Sequence, residues 1–265
     1  MKAKGQLAII DWGIGGIGVY KLIKQRRPWI RVIYFSDTGA TPYGKMSRPE
    51  LVERLHAVIE MLKSRGVTHL VIACNAASTA IPFLNPQGFK IEGVIESAVA
   101  MTAKLKPKRL GLIGGRRTVL SGIYRNTLAD HGIKVEQRIA QPLSGLIESG
   151  DVSSDKLRDE CKRILSPLKN CSHILLACTH YPAIIDVMKN FVSPQTIFID
   201  PAAELVKRAT SWQRSAGGTD VFFTSGDAGQ MKTAAWQAYG CEIKSIRIVD
   251  PLTYAKRVLL KRKTI

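Results

Sequence analysis

The sequence predicts an α/β protein made of two pseudo-symmetric, doubly wound lobes with parallel-type sheets and an active-site cleft between them. Three observations carry that prediction. Short apolar runs alternate with helix-like segments, the pattern of parallel sheets covered on both faces. The pattern then starts again, with Leu7 and Leu110 offset by 103 residues and Cys74 and Cys178 by 104. At 265 residues the chain has room for two lobes of ordinary size.

Leu7 to Asp11 (LAIID) reads as a strand that runs into the turn Gly13-Ile14-Gly15-Gly16, and GVYKLIKQ after it has helical character. Arg31 to Phe35 is the next strand. Glu50 to Arg65 is a helix, since Leu51, Leu55, Val58, Ile59 and Leu62 recur at helical spacing. His69 to Ala73 is a third strand. The second half opens with the strand Leu110 to Ile113, followed by Gly114-Gly115 and a helix from about Thr118, and His173 to Ala177 runs into Cys178. The repeat also carries Thr41-Pro42-Tyr43-Gly44 onto Gly145-Leu146-Ile147-Glu148, a second pair of loops facing the cleft. Beyond Phe191, FVSPQTIFIDPAAE leads into a helix ending near Arg208, with weaker segments VFFTS and IRIVD after it. The stretch GGTDVFFTSGDAGQ is rich in turn residues. The first lobe is expected to comprise residues 1–97 plus 207–265, and the second residues 98–206.

A hydrophobic fraction of 45% with 23% charged residues suits a soluble globular protein, and no apolar stretch reaches the roughly 18 residues of a membrane span. The basic N-terminus has a short apolar run and no small-residue cleavage site, so secretion is not expected. Cys74, Cys161, Cys171, Cys178 and Cys241 form an odd set without CxxC or zinc spacing, which points to reduced thiols in the cytoplasm and to no metal. The formal charge of +18 raises the question of an acidic partner. The basic residues are spread out, however, and runs such as Lys24-Gln25-Arg26-Arg27 and Lys261-Arg262-Lys263 read as solvated helix ends and a tail. Neither nucleic acid nor membrane is expected as a partner; a small-molecule amino acid is, and a homodimer is left open.

Two segments, VIACNAAS and LLACTHYP, end strands in equivalent places of the two halves. Ligands of open α/β sheets sit beyond the carboxyl ends of strands, so each half sends a cysteine to the cleft. Cys161 and Cys241 read instead as small core hydrophobes. Two thiols from opposite lobes suit the removal of a proton from one face of a carbon and its return to the other, one thiolate acting as base and one thiol as acid. A thiol of ordinary pKa about 8.5 needs help to ionise near neutrality. His180, two residues from Cys178, and Asp11, at the end of the first strand, are candidates for that help; each also has a plain structural reading, Asp11 as a helix N-cap. DWGIGGIG lacks the spacing of a nucleotide fingerprint, and its alternative is a tight turn whose helix amides face the cleft.

IDWGIGGIGV, YFSDTGATPYGK, ACNAAS, SGLIESGD and ACTHYP occur in the order and spacing of the cofactor-independent glutamate racemases, which the chain resembles over about residues 7 to 206. The resemblance implies two lobes about a pseudo-twofold axis, glutamate between them, no cofactor, and D-glutamate feeding peptidoglycan synthesis. It places Cys74 and Cys178 as the acid/base pair, Asp11 as partner of the first, and His180 with Glu148 as the support of the second. Asp37, Tyr43, Gly44, Asn75, Thr118 and Thr179 match further pocket positions, and Trp12, Pro42 and Ala76 complete the expected substrate-binding set.

The chain departs from the family pattern at three places. Asp-Ser-Gly becomes Asp11-Trp12-Gly13, Cys-Asn-Thr becomes Cys74-Asn75-Ala76, and Thr-x-x-Thr becomes Gly115-Arg116-Arg117-Thr118. An indole replaces a small hydroxyl while two threonines shrink, so either the volumes compensate around a differently shaped ligand or Trp12 fills the pocket. Arg116 and Arg117 are expected to face solvent, the alternative being a bidentate carboxylate contact in place of the lost hydroxyls. Retention of both thiols favours an amino-acid racemase or epimerase. A racemase-like scaffold that only binds is the competing reading.

Overall fold

A computed structural model describes residues 6–86, 88–211 and 217–253. The basic tail around Lys261 and the extreme N-terminus lie outside the described residues.

The chain runs β1 (Gln6–Asp11), α1 (Ile17–Arg26), β2 (Val32–Ser36), α2 (Arg48–Lys63), β3 (Val67–Ile72), α3 (Asn75–Ser78), β4 (Lys90–Gly93) and α4 (Val94–Leu105). It continues through β5 (Leu110–Gly114), α5 (Arg116–Leu120), α6 (Ile123–Ala129), β6 (Val135–Ile139), α7 (Gln141–Glu148), α8 (Asp155–Leu165) and β7 (His173–Ala177). It closes with α9 (Ile185–Met188), β8 (Ile197–Ile199), α10 (Ala202–Thr210), β9 (Val221–Thr224), α11 (Ala228–Tyr239) and β10 (Ile246–Ile248).

The strands form two parallel sheets, ordered β10-β9-β2-β1-β3-β4 and β6-β5-β7-β8. Laying β5 on β1 and β7 on β3 brings β6 onto β2 and β8 onto β4, so the repeat read in the sequence is a repeat of topology. The two-sheet α/β fold expected above is the fold found. Strands buried on both faces explain the unbroken apolar runs. In β1, Leu7 and Ile9 face one layer of helices while Ala8 and Ile10 face the other, which holds Leu51, Leu55 and Val58 of α2.

One apolar layer is common to both sheets. Leu7, Ile9, Val32 and Tyr34 of the first sheet and Leu112, Leu175 and Ala177 of the second belong to a single core, filled between them by Val94, Ala98, Leu205, Val206 and Ala209 of α4 and α10. The outer face of the second sheet packs Ile113, Ile174 and Leu176 against Leu143, Leu157, Cys161 and Ile164.

Local rules set several boundaries. Ser47 caps α2 in a reciprocal capping box with Glu50, which starts the helix at Arg48. The helix expected from about Thr118 starts at Arg116 and breaks at Gly122, whose φ of +70° suits glycine far better than other residues. Gly145 to Glu148, expected as a loop, instead completes α7, whose Leu143 and Ile147 bury one turn apart. The turn-rich GGTDVFFTSGDAGQ contains β9 and the start of α11, capped by Asp227. Among the described residues no helix is long and apolar enough to cross a membrane.

Candidate active site

Asp11 ends β1, and Cys74 lies two residues beyond the end of the neighbouring strand β3. In the second sheet Gly115 follows β5 and Cys178 follows β7, the same two strands of the repeat. Parallel strands deliver all four positions to carboxyl edges, and the two edges face each other across a cavity of about 300 Å³. Asp11, Trp12, Pro42, Tyr43, Gly44, Cys74, Asn75, Ala76, Thr118, Cys178, Thr179 and His180 line it, so most of the site residues expected from sequence share one cavity.

The surroundings of the two thiols differ. Cys74 stands at the start of α3, where burial and then the Asp11 carboxylate push its thiol well above the ordinary range, against a smaller pull from the Ala77 and Ala76 amides. Cys178 Sγ lies 3.6 Å from His180 Nδ1, and His180 Nε2 lies 2.6 Å from Glu148 Oε2. Burial opposes a charge on His180, but the adjacent sulfur and carboxylate outweigh it and raise its pKa well above the ordinary value. His180 therefore stands between a sulfur and a carboxylate that both favour its charged form.

Asp11 is not the N-cap of α1, a position that falls at Gly16. Its carboxylate accepts from Trp12 N at 2.7 Å and from Thr179 Oγ1 at 2.8 Å, the second a bond between the two sheets' loops. Burial raises its pKa, opposed chiefly by His180. Glu148 stands behind His180 and also accepts from Ile14 N at 2.9 Å, which explains the glycine-rich turn. A Cβ on Gly13 would come within 2.0 Å of Glu148 Oε2, and one on Gly15 within 2.5 Å of Thr179 Oγ1. The turn is glycine-rich because Glu148, Thr179 and His180 press against its backbone.

Asp37 is set apart from the cavity. It is fully buried, and its oxygens accept from Tyr43 Oη at 2.7 Å, Arg54 Nε at 2.8 Å, Arg54 Nη2 at 2.6 Å and Ser225 Oγ at 2.7 Å. Its carboxylate reaches the cavity through Tyr43. Asn75 presents a different situation: Oδ1 accepts from Tyr124 Oη at 2.6 Å, while the buried amide donor Nδ2 has no protein partner. A buried donor in a cavity wall is a ready contact for an acceptor that enters the cavity.

Two of the three departures from the family pattern, at Trp12 and in the Gly115–Arg117 loop, have structural counterparts. Trp12 donates Nε1–H to Ala40 O at 3.0 Å and packs on the outer core of the first sheet, so it walls the cavity rather than filling it. Gln141 occupies the space beside Gly115, where a Cβ would lie 3.1 Å from its Oε1. Arg117, expected to face solvent, is instead half-buried on the cavity wall and donates to Met46 O at 2.6 Å and Thr79 Oγ1 at 3.1 Å, both on the opposite lobe. Arg116 is exposed. Lys45, Gln141 and Ser144 also line the cavity, and nothing in their local sequence pattern marked them.

Residues 30–209 match the family described as Asp/Glu/Hydantoin racemase. A glutamate racemase of Desulforudis audaxviator is 33% identical over 78% of this chain and 78% of its own length, and one of Aquifex aeolicus is 31% identical over 83% and 88%. A glutamate racemase of Francisella tularensis, solved with D-glutamate, has the same fold with a TM-score of 0.85 over 95% of this chain and 99% of that one, at 23% identity. Duplicated parallel sheets carrying paired thiols at facing edges, with these relatives, define an amino-acid racemase, an isomerase. The chain belongs to the Asp/Glu/Hydantoin racemase family.

Proposed function

We propose that this protein interconverts L- and D-glutamate by a two-base proton transfer between Cys74 and Cys178, supplying D-glutamate for peptidoglycan precursors. The observation that carries the reading is that both thiols line one cavity from opposite sheets. The names of the relatives supply glutamate as the substrate.

The amino acid lies with Cα between the sulfurs, its carboxylate accepting from Asn75 Nδ2. One thiolate takes the Cα proton, the electron pair is held in the carboxylate-conjugated carbanion, and the opposite thiol returns a proton to the other face. Each turnover leaves the two sulfurs with exchanged protonation, set for the mirror-image substrate. On the Cys178 side, protonated His180 stabilises the thiolate, and Glu148 holds the imidazolium and its orientation. On the Cys74 side, burial and the Asp11 carboxylate favour the protonated thiol, and burial also raises the affinity of Asp11 for a proton, so this side is set to donate.

Residues 1–97 with 207–265 form the first lobe in this reading and residues 98–206 the second, supported by β1 to β4, β9 and β10 sharing one sheet and β5 to β8 the other. A cytoplasmic location and a homodimer belong to the same reading and bear on neither thiol. The test is exchange of the Cα proton in D2O: L-glutamate and D-glutamate should both incorporate deuterium with the wild-type chain. No incorporation with either enantiomer would remove the proposal.

A further inference from the structure

Beside the reaction cavity lies a second one of about 380 Å³, lined by Gly44, Arg48, Arg116, Arg117, Leu120 and Ser121. Gly44 and Arg117 belong to both cavities, so the second sits at the mouth of the first. Arg48 begins α2 on the first lobe, while Arg116 and Arg117 open α5 on the second. We propose that this mouth cavity is a binding site for a phosphate dianion, free or carried on a small organic molecule.

No carboxylate lines the cavity, and among the described residues none of its three arginines forms an ion pair. Elsewhere Arg109, Arg163 and Arg208 pair with Glu136, Glu160 and Glu92. The uncompensated charge is felt within the cluster: burial and then Arg48 lower the proton affinity of Arg117. Arg48 also occupies the first turn of a sixteen-residue helix, the positive end of its dipole, where a cation is disfavoured and an anion favoured. Arg48 stacks its guanidinium over Phe83 at 4.5 Å from the ring centroid, and the Arg117 hydrogen bonds to Met46 and Thr79 fix a second guanidinium in place. Two of the cations are therefore positioned before any ligand arrives.

Guanidinium groups form paired charge-assisted hydrogen bonds to phosphate oxygens, and three of them offset a dianion better than a monocarboxylate. A phosphate here touches both lobes at once, and exposed Leu120 leaves an apolar shelf for an organic body. Arg48 and Arg116 belong to this cavity and not to the reaction cavity, so they can be changed while the shared Arg117 is left in place.

Calorimetric titration of the full chain tests this with inorganic phosphate, glycerol phosphate and acetate at matched ionic strength. The expected result is one phosphate per chain with affinity on the order of millimolar. The R48Q/R116Q variant should bind phosphate at least about tenfold more weakly, while K104Q/K134Q, which loses the same charge from exposed positions elsewhere, should match the wild type. Racemisation by R48Q/R116Q in phosphate-free buffer should stay at the wild-type level. Tighter binding of glycerol phosphate points to an organic ligand, and tighter binding of inorganic phosphate to the free ion. Equal losses in the two variants, acetate binding as tightly as phosphate, or no phosphate uptake by the wild type would each overturn the proposal.

Discussion

At the scale of single residues, the two thiols hold equivalent positions in unlike settings. Cys74→Ser and Cys178→Ser should each lower two-way racemisation by roughly 10²–10⁴-fold, the usual worth of a positioned acid or base. Monitoring deuterium entry separately for each enantiomer distinguishes them, since each variant keeps one thiol able to exchange the proton on its own face. Glu148→Gln removes the carboxylate that helps raise the His180 pKa, so the imidazole should titrate at lower pH in ¹⁵N NMR spectra; an unchanged midpoint would contradict the assigned cause. The same shift has a sign in stability. A histidine whose folded pKa lies above its unfolded value of about 6.5 stabilises the fold fully below that pH and loses the contribution as pH rises through the folded value. Accordingly the stability gap between wild type and His180→Asn should be widest in mild acid and should narrow in base, measured by urea unfolding across that range.

At the scale of elements, the loop bearing Pro42, Tyr43 and Gly44 is held from behind by Asp37 and Arg54 of α2. Arg54→Leu leaves Asp37 buried without its cation and should cost about 3–5 kcal/mol, whereas the double change with Asp37→Asn should recover part of that loss. A rise in the KM for glutamate, through Tyr43, should accompany the single variant. This arrangement also shows where sequence reading stopped. Strand ends were legible because parallel strands must be apolar along their length, so the polar residues after LAIID, VIAC and LLAC stood out. Asp37 was matched to the pocket by motif, yet its carboxylate points to Arg54, seventeen positions along the chain, a contact no local pattern encodes. Gln141 beside Gly115 and Arg117 bridging to Met46 are likewise products of packing between distant segments. Helix α4 and strand β6 lack a sharp local signature: β6 alternates half-buried and exposed positions along one edge of its sheet.

At the scale of the whole molecule, the apolar layer common to both sheets makes the lobes interdependent. Leu205 of α10 is fully buried in that layer, and Leu205→Ala should cost about 2–5 kcal/mol. Calorimetry should show one unfolding transition, shifted as a whole; two transitions, only one of them moved, would mean that the lobes melt separately. The unequal surroundings of the two thiols carry a consequence of another kind. Enantiomers have equal free energies in water, so the ratio of kcat/KM for the two directions must be unity, whatever stands beside each sulfur. The Asp11 side and the His180–Glu148 side therefore cannot make the catalyst favour one hand at equilibrium. They can only divide each direction differently between KM and turnover, so that a direction with a higher kcat has a correspondingly higher KM. The asymmetry built into this cleft is a setting of working concentration range, with chirality at equilibrium left to the solvent.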